Sequence, residues 1–188
     1  MSNKPPYYTA ELPSGALLAV NKLPPRDTLQ RGEYRAMERQ AWQALARQLL
    51  NDPNAHFDYS AIGAPFIVGS HLHISVSHSA ELVAVILSPQ PCAVDIEALT
   101  RNFERVASRY ISPDEELLFG SLNSYKASIW SIKECLYKYA GVKELDLLND
   151  LRVTSMESDR FSGWIASPQN TVKGFISVIA GHTLVYIG

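Results

Sequence analysis

Two acidic residues, Asp95 and Glu97, are separated by one residue in a β-rich run that covers residues 93–97. Because side chains alternate along a strand, both carboxylates are expected on one face, with Val94 and Ile96 on the other. Two close carboxylates repel each other unless a cation lies between them, and oxygen ligands are what Mg²⁺ prefers. The spacing is compatible with a magnesium site, and equally with two solvated acids on a strand that leaves the core.

A further acid and base are predicted on one side of a helix. Residues 128–140 contain no glycine or proline, and their apolar residues recur at helical spacing. Glu134 and Lys138 lie four residues apart, so they share a face opposite the apolar one. The two side chains could take part in catalysis, or they could form an exposed ion pair worth only about 0.2–0.5 kcal/mol.

A third group of polar residues is the run Ser77, His78 and Ser79, between two predicted strands. Hydroxyls, an imidazole and turn amides can together hold a phosphate. The alternatives are a polar turn or a zinc site that adds His71 and His73, on which a metal-dependent phosphohydrolase could be built. Neither GxxxxGK[ST] nor GxGxxG occurs in the chain, which disfavours the nucleotide chemistry of those two motifs.

Composition narrows the class of protein. Of the 188 residues 46% are hydrophobic and 19% are charged, as in folded globular domains. The net charge of −2 gives no general attraction to nucleic acid or to an anionic membrane, so we expect neither as a partner. No signal sequence or membrane-spanning run is recognisable, which predicts a cytoplasmic protein. Cys92 and Cys135 are too far apart for a CxxC motif and are expected to be buried thiols.

The elements that must position these residues follow from hydrophobic periodicity and from helix and turn signals. Helices are predicted at about 32–50, 101–110 and 128–140. A further short helix is predicted to begin after Ser112, where a capping box is present. Strands are predicted at 72–76, 82–87 and 92–97, and through the C-terminal region. Each half of the chain therefore offers a helix and several strands. This order predicts an α+β protein with an N-terminal lobe, residues 1–90, and a C-terminal lobe, residues 91–188.

Four motifs in this order resemble those of the surfactin-synthetase-activating type of 4′-phosphopantetheinyl transferases. They are Gly63-Ala64-Pro65, Ile74–Ser79, Ala93–Glu97 and Trp130–Lys138, and the resemblance extends from about Glu38 to Gly141. It implies a pseudo-dimeric α+β fold of two similar lobes with the active site between them. It also implies transfer of 4′-phosphopantetheine from coenzyme A to a serine of an apo acyl or peptidyl carrier protein, with release of 3′,5′-ADP. Many relatives have Gly-Lys-Pro where this chain has Ala64, so a phosphate contact is expected to be missing.

The resemblance also implies roles for individual residues. The Mg²⁺ ligands around the coenzyme A pyrophosphate would be Asp95, Glu97 and Glu134, with Glu134 and Lys138 as the catalytic residues. The contacts to coenzyme A would come from Ser77, His78, Lys133, Lys138, Arg39 and Arg47.

A carrier-docking surface is predicted from three arginines. Arg101, Arg105 and Arg109 recur every four residues and would form one basic stripe if the segment is helical. Carrier proteins of the family are typically acidic around their serine, so the stripe is expected to dock them; the alternative is a solvated helix face. Two other functions stay open, namely an impaired coenzyme A or carrier-binding module, which Ala64 would suit, and the phosphohydrolase. The sequence does not identify the pathway of the carrier.

Overall fold

A computed structural model describes residues 5–24 and 30–188 of the chain. Its strands are β1 (Tyr8–Glu11), β2 (Leu17–Lys22), β3 (Phe57–Tyr59), β4 (Pro65–Ile67), β5 (His73–His78), β6 (Leu82–Ser88), β7 (Ala93–Ala98), β8 (Leu151–Met156), β9 (Arg160–Ala166), β10 (Gln169–Ile179) and β11 (His182–Ile187). Its α-helices are α1 (Arg31–Leu50), α2 (Pro113–Phe119) and α3 (Tyr125–Ala140), and a 3₁₀ helix covers Glu104–Arg109. The chain divides into two units, Met1–Cys92 with Gly188, and Ala93–Ile187.

The N-terminal unit pairs one long helix with an antiparallel sheet. The strand order is β1-β2-β6-β5, with β3 and β4 as a separate hairpin. Helix α1 packs on β6 and β2 and buries Trp42 and Leu45 against Val83 and Val85. Burial of such side chains stabilises the unit by about 1.5–3 kcal/mol each. Helix α1 ends at Asn51, whose left-handed conformation (φ 51°) lets its N–H reach carbonyls of the last turn.

The C-terminal unit is a five-stranded antiparallel sheet in the order β7-β11-β10-β9-β8, with α3 packed on one face. The apolar side of α3, including Ile132 and Leu136, is fully buried against Val153, Ile165 and other side chains of the sheet. The helix lies close to the sheet over β9, because Gly163 leaves space there. A Cβ atom at Gly163 would lie 2.5 Å from Leu136 Cδ1.

The prediction of a regular helix over residues 101–110 is wrong. Only Glu104–Arg109 are helical, and they form a 3₁₀ helix. With three residues per turn, side chains four apart point about 120° away from each other. Arg105 and Arg109 therefore do not line up, and Arg101 precedes the helix. The single basic stripe predicted from these three arginines does not exist.

The other predicted helices, and the strands predicted at 72–76, 82–87 and 92–97, are present in the structure. Helix α2 begins as predicted, because Ser112 Oγ accepts the Glu115 N–H and Glu115 Oε2 accepts the Ser112 N–H. The α+β class is confirmed, whereas the pseudo-dimeric arrangement stays a prediction. Among the described residues, no helix combines the length and the hydropathy that crossing a membrane requires.

Candidate active site

Strand β7 presents two carboxylates to helix α3. Lys138 Nζ, on α3, lies 2.8 Å from Asp95 Oδ1, and Trp130 Nε1, two turns earlier, donates a hydrogen bond to Glu97 Oε1 at 3.2 Å. Asp95 and Glu97 are two residues apart and both contact α3, as the strand period predicts. Asp95 is buried and Glu97 is half-buried, so neither is a fully solvated acid at the end of a strand.

Lys138 is the cation that faces Asp95. Its ammonium group donates to Asp95 Oδ1 and, at 3.0 Å, to the carbonyl of Val94. Burial by itself lowers the pKa of Lys138, but the ion pair and hydrogen bond with Asp95 together outweigh that effect and raise it. The side chain is 27% exposed. Lys138 therefore carries a fixed positive charge that is still accessible at the surface.

Glu97 is held by two groups. Arg101 Nη1 forms an ion pair with Glu97 Oε1, and the indole N–H of Trp130 donates to the same oxygen. Burial raises the pKa of Glu97, and the charge of Asp95 raises it further, while Arg101 and Trp130 act in the opposite direction. The net shift is upward.

Glu134 lies one helical turn from both Trp130 and Lys138 and is half-buried. Burial is the largest cause that raises the pKa of Glu134, followed by the charge of Asp95, which Lys138 partly offsets. Glu97 also contributes to the rise. The three carboxylates therefore lie close enough for their charges to repel one another.

Lys133, which was predicted to contact a phosphate, has a different environment. Its ammonium group lies 2.9 Å from Glu115 Oε2 and 2.9 Å from the carbonyl oxygen of Leu147. Neither side chain of the Lys133–Glu115 pair is accessible, with 0% and 1% exposed. Burial lowers the pKa of Lys133, and Glu115 offsets only part of that effect. A phosphate cannot reach the Lys133 ammonium group in this structure.

The chemistry of the three carboxylates suits a hard divalent cation. Burial is the largest cause of the raised pKa values of Glu97 and Glu134, and repulsion between the carboxylates adds to it; a dication between them would relieve the repulsion. In this structure, however, Arg101 and Lys138 engage Glu97 and Asp95. In the described part of the chain, no three His, Cys, Asp or Glu side chains are gathered closely enough to hold a metal ion. This applies to the zinc site considered for His71, His73 and His78 and equally to Asp95, Glu97 and Glu134, so neither set forms a ready three-ligand site among the described residues.

Comparison with known proteins shows what this region is similar to. Residues 91–175 match the family model described as the 4′-phosphopantetheinyl transferase superfamily. The resemblance to that superfamily is confirmed. The chain is also similar to the 4′-phosphopantetheinyl transferase gsp of Aneurinibacillus migulanus, with 33% identity over 101 residues. That alignment covers 50% of this chain and 42% of the relative, so the chain spans less than half of the relative's length.

The superfamily match includes Asp95, Glu97, Glu134 and Lys138, together with their partner Trp130. These residues all belong to the C-terminal unit. The structure thus brings together the acids that the resemblance assigned to Mg²⁺ and one of its two lysines.

The coenzyme A contacts predicted in the N-terminal unit lie outside the superfamily match. Ser77 and His78 are consecutive on β5, so Ser77 is buried and His78 is exposed, with its Nδ1 3.1 Å from Glu38 Oε1. Arg39 is exposed on α1 and lies over the ring of Tyr59. On the same helix, Arg47 donates from Nε to the carbonyl of Ala55 at 3.1 Å. The roles of Ser77, His78, Arg39 and Arg47 stay predictions.

Sequence reasoning missed two partners in the C-terminal unit. Arg101 is predicted in a docking stripe but pairs with Glu97; because Glu97 lies in β7 and Arg101 in the loop after it, no helical spacing indicates this pair. Glu115, the acid of the capping box of α2, also forms an ion pair with Lys133 and accepts the N–H of Val153 at 2.8 Å. No local pattern points to that second role, because 18 residues separate Lys133 from Glu115.

Proposed function

We propose that this chain transfers 4′-phosphopantetheine from coenzyme A to a serine of an apo acyl or peptidyl carrier protein, with Mg²⁺ and with release of 3′,5′-ADP. The observation that carries the proposal is the group Asp95, Glu97, Glu134 and Lys138, which lies within the superfamily match. Repelling carboxylates beside an accessible ammonium group suit a metal and a pyrophosphate. The cytoplasmic location stays a prediction.

The metal ligands in this proposal are Asp95, Glu97 and Glu134. Mg²⁺, when bound there, supplies positive charge to the pyrophosphate oxygens of coenzyme A. Arg101 and Lys138 hold two of these carboxylates, so metal binding would require at least one of the two ion pairs to change.

Lys138 would stabilise the charge that develops on the leaving phosphate. Because Asp95 and Glu134 raise its pKa, Lys138 stays protonated at neutral pH. Its second contact, with the Val94 carbonyl, fixes the ammonium group before substrate binds. A positive charge that is already positioned does not need to reorganise during the reaction, which is the main source of electrostatic catalysis.

Glu134 is the proposed general base. It would take the proton of the carrier serine while the serine oxygen forms a bond to the pantetheine-side phosphorus of coenzyme A. The bond from that phosphorus to the bridging oxygen breaks, and 3′,5′-ADP leaves with the electron pair. A base works best when its pKa approaches the working pH. The raised pKa of Glu134 is consistent with that role.

The remaining contacts are proposed from the resemblance. Ser77, His78, Arg39 and Arg47 would bind the adenosine-side phosphates of coenzyme A. Arg105 and Arg109 are exposed and are the remaining docking candidates for an acidic carrier. They would act as separate surface charges rather than as one helix face.

The proposal is tested by intact mass spectrometry of apo acyl and peptidyl carrier proteins incubated with coenzyme A, Mg²⁺ and the full chain. We expect a mass increase of one phosphopantetheine on a carrier serine. Two matched variants are compared. Asp95→Asn should abolish the mass increase, whereas Lys173→Ala, which changes an exposed residue of β10, should not affect it. No mass change with any carrier would refute the transferase. Release of inorganic phosphate without a carrier would favour the phosphohydrolase instead.

A further inference from the structure

Arg101 is surrounded by groups of the proposed metal site. Its guanidinium forms an ion pair with Glu97 and lies 4.4 Å from the ring centroid of Trp130 and 5.4 Å from that of Phe103. Trp130 in turn donates to the same Glu97 oxygen. Glu97 is thus held by two side chains that also contact each other, as cation–π pairs do.

A dication at the carboxylates would be repelled by both neighbouring cations, so one of them must move. Lys138 is fixed by Asp95 and by the Val94 carbonyl, and its side chain is 27% exposed. The Arg101 side chain is 40% exposed, and the residue lies in the loop that follows β7. Arg101 also lines an open cavity of about 320 Å³ together with Tyr125 and Lys126. Arg101 is therefore the cation that has both room to move and fewer bonds to the backbone.

We infer that Arg101 is a positioning residue that holds Glu97 in the metal-free protein, and that a divalent cation displaces its guanidinium from Glu97 and from the ring of Trp130. This inference rests on the proposed function, because it takes the carboxylates as the metal ligands. Arg101 orients Glu97 before metal binds and competes with the metal for it. The same side chain then becomes available to an anion once the metal is in place.

The displacement of the Arg101 guanidinium changes the environment of Trp130 and can be followed there. The full chain is labelled with 5-fluorotryptophan, and its ¹⁹F resonances are assigned with Trp130→Phe. We expect MgCl₂ to shift the Trp130 resonance saturably. Trp42, in the core of the N-terminal unit, and Trp164, which has Arg152 over its ring at 6.0 Å, are internal controls that should not move. In metal-free Arg101→Ala the Trp130 resonance should already lie near the metal-saturated position of the wild type.

Calorimetry supplies the second measurement. Arg101→Ala should bind Mg²⁺ tighter by up to about fivefold, the size of a half-exposed ion pair expressed as an equilibrium constant. Arg101→Lys keeps the competing charge and should bind Mg²⁺ less tightly than Arg101→Ala. Arg105→Ala removes the same charge from the exposed face of the 3₁₀ helix and should leave Mg²⁺ affinity and the ¹⁹F spectrum as in the wild type.

The outcomes separate this inference from the proposed function. If Mg²⁺ binds and Asp95→Asn abolishes binding, but Trp130 does not shift or Arg101→Ala binds no tighter, the role of Arg101 is refuted and the metal site stands. If the wild type binds no Mg²⁺, the role of Arg101 is refuted with the metal site. Mass spectrometry of the carrier then decides the transferase separately.

Discussion

Replacing Lys133 by methionine should strongly destabilise the protein, because it removes one half of a buried ion pair. Lys133 Nζ lies 2.9 Å from Glu115 Oε2, and 0% and 1% of the two side chains are exposed. Loss of one partner of such a pair costs about 3–5 kcal/mol, since the other charge is left without compensation. For a chain of this length each 1 kcal/mol corresponds to about 2–4 °C. Lys133→Met should therefore melt about 6–20 °C below the wild type.

The double variant isolates the pair itself. Glu115 also accepts N–H groups from Ser112 at 2.9 Å and from Val153 at 2.8 Å, and a glutamine keeps an acceptor for them without the charge. Glu115→Gln combined with Lys133→Met should therefore melt higher than Lys133→Met alone. The coupling energy between the two positions should be about 0.5–3 kcal/mol, as for residues in direct contact.

The assay is thermal and urea unfolding followed by circular dichroism, with coenzyme A binding measured on each folded variant. Lys126→Met is the matched control, because it breaks a surface ion pair with Glu104 and should change the melting temperature little. If Lys133→Met melts like the wild type but loses affinity for coenzyme A, Lys133 contacts a phosphate as first predicted and the reasoning from burial is refuted.

Three further predictions concern the carboxylates and the contact between helix and sheet. Glu134→Gln should raise the unfolding midpoint at neutral pH while abolishing transfer. Because the pKa of Glu134 is raised above its ordinary value of 4.5, its contribution to stability is lost as pH rises through the raised pKa; equal midpoints for both proteins at about pH 5 and about pH 8 would contradict this. Asp95→Ala should abolish carrier modification while far-ultraviolet circular dichroism stays native, and turnover in excess Mg²⁺ would disprove the metal assignment. Gly163→Ala should destabilise by about 1–3 kcal/mol, because its Cβ would lie 2.5 Å from Leu136; an unchanged urea midpoint would show that Leu136 moves aside at no cost.

The elements of the candidate site follow well from local sequence signals. Helix α3 has its apolar residues on one side and Gly141 with positive φ at its end, and both features are visible in the sequence. The alternation in β7 places Asp95 and Glu97 on one face of the strand, and both side chains contact α3. The end of a helix and the alternation of a strand both depend on residues that are close in sequence.

The features that the sequence did not reveal depend on distant contacts. Arg101 precedes the 3₁₀ helix, and its side chain pairs with Glu97 and packs on Trp130 and Phe103. An arginine repeat with helical spacing does not distinguish a helix from a turn when tertiary contacts determine the backbone. The environment of Lys133 likewise depends on Glu115 and Leu147, which come close only after α2 and α3 have packed.

Lys133 and Lys138, two of the three lysines of α3, have different roles although they belong to one motif. Lys133 and Lys138 are five residues apart, so their side chains leave the helix about 140° from each other. Lys133 points to Glu115 and Leu147, where full burial lowers its pKa. Lys138 points to β7, where the interactions with Asp95 overcome burial and raise its pKa.

The environment of Lys133 also affects Glu134, which lies between Lys133 and Lys138 in sequence. The buried Lys133–Glu115 pair fixes the rotation of α3 about its axis, because turning the helix would expose an unpaired charge to the core. That rotation keeps Glu134 and Lys138 on the side of Asp95. Lys133 therefore contributes to the site by orienting the helix. Lys133→Arg puts a larger, planar group into this fully buried position, so it should lower the rate of carrier modification in the mass-spectrometric assay even though the charge is retained.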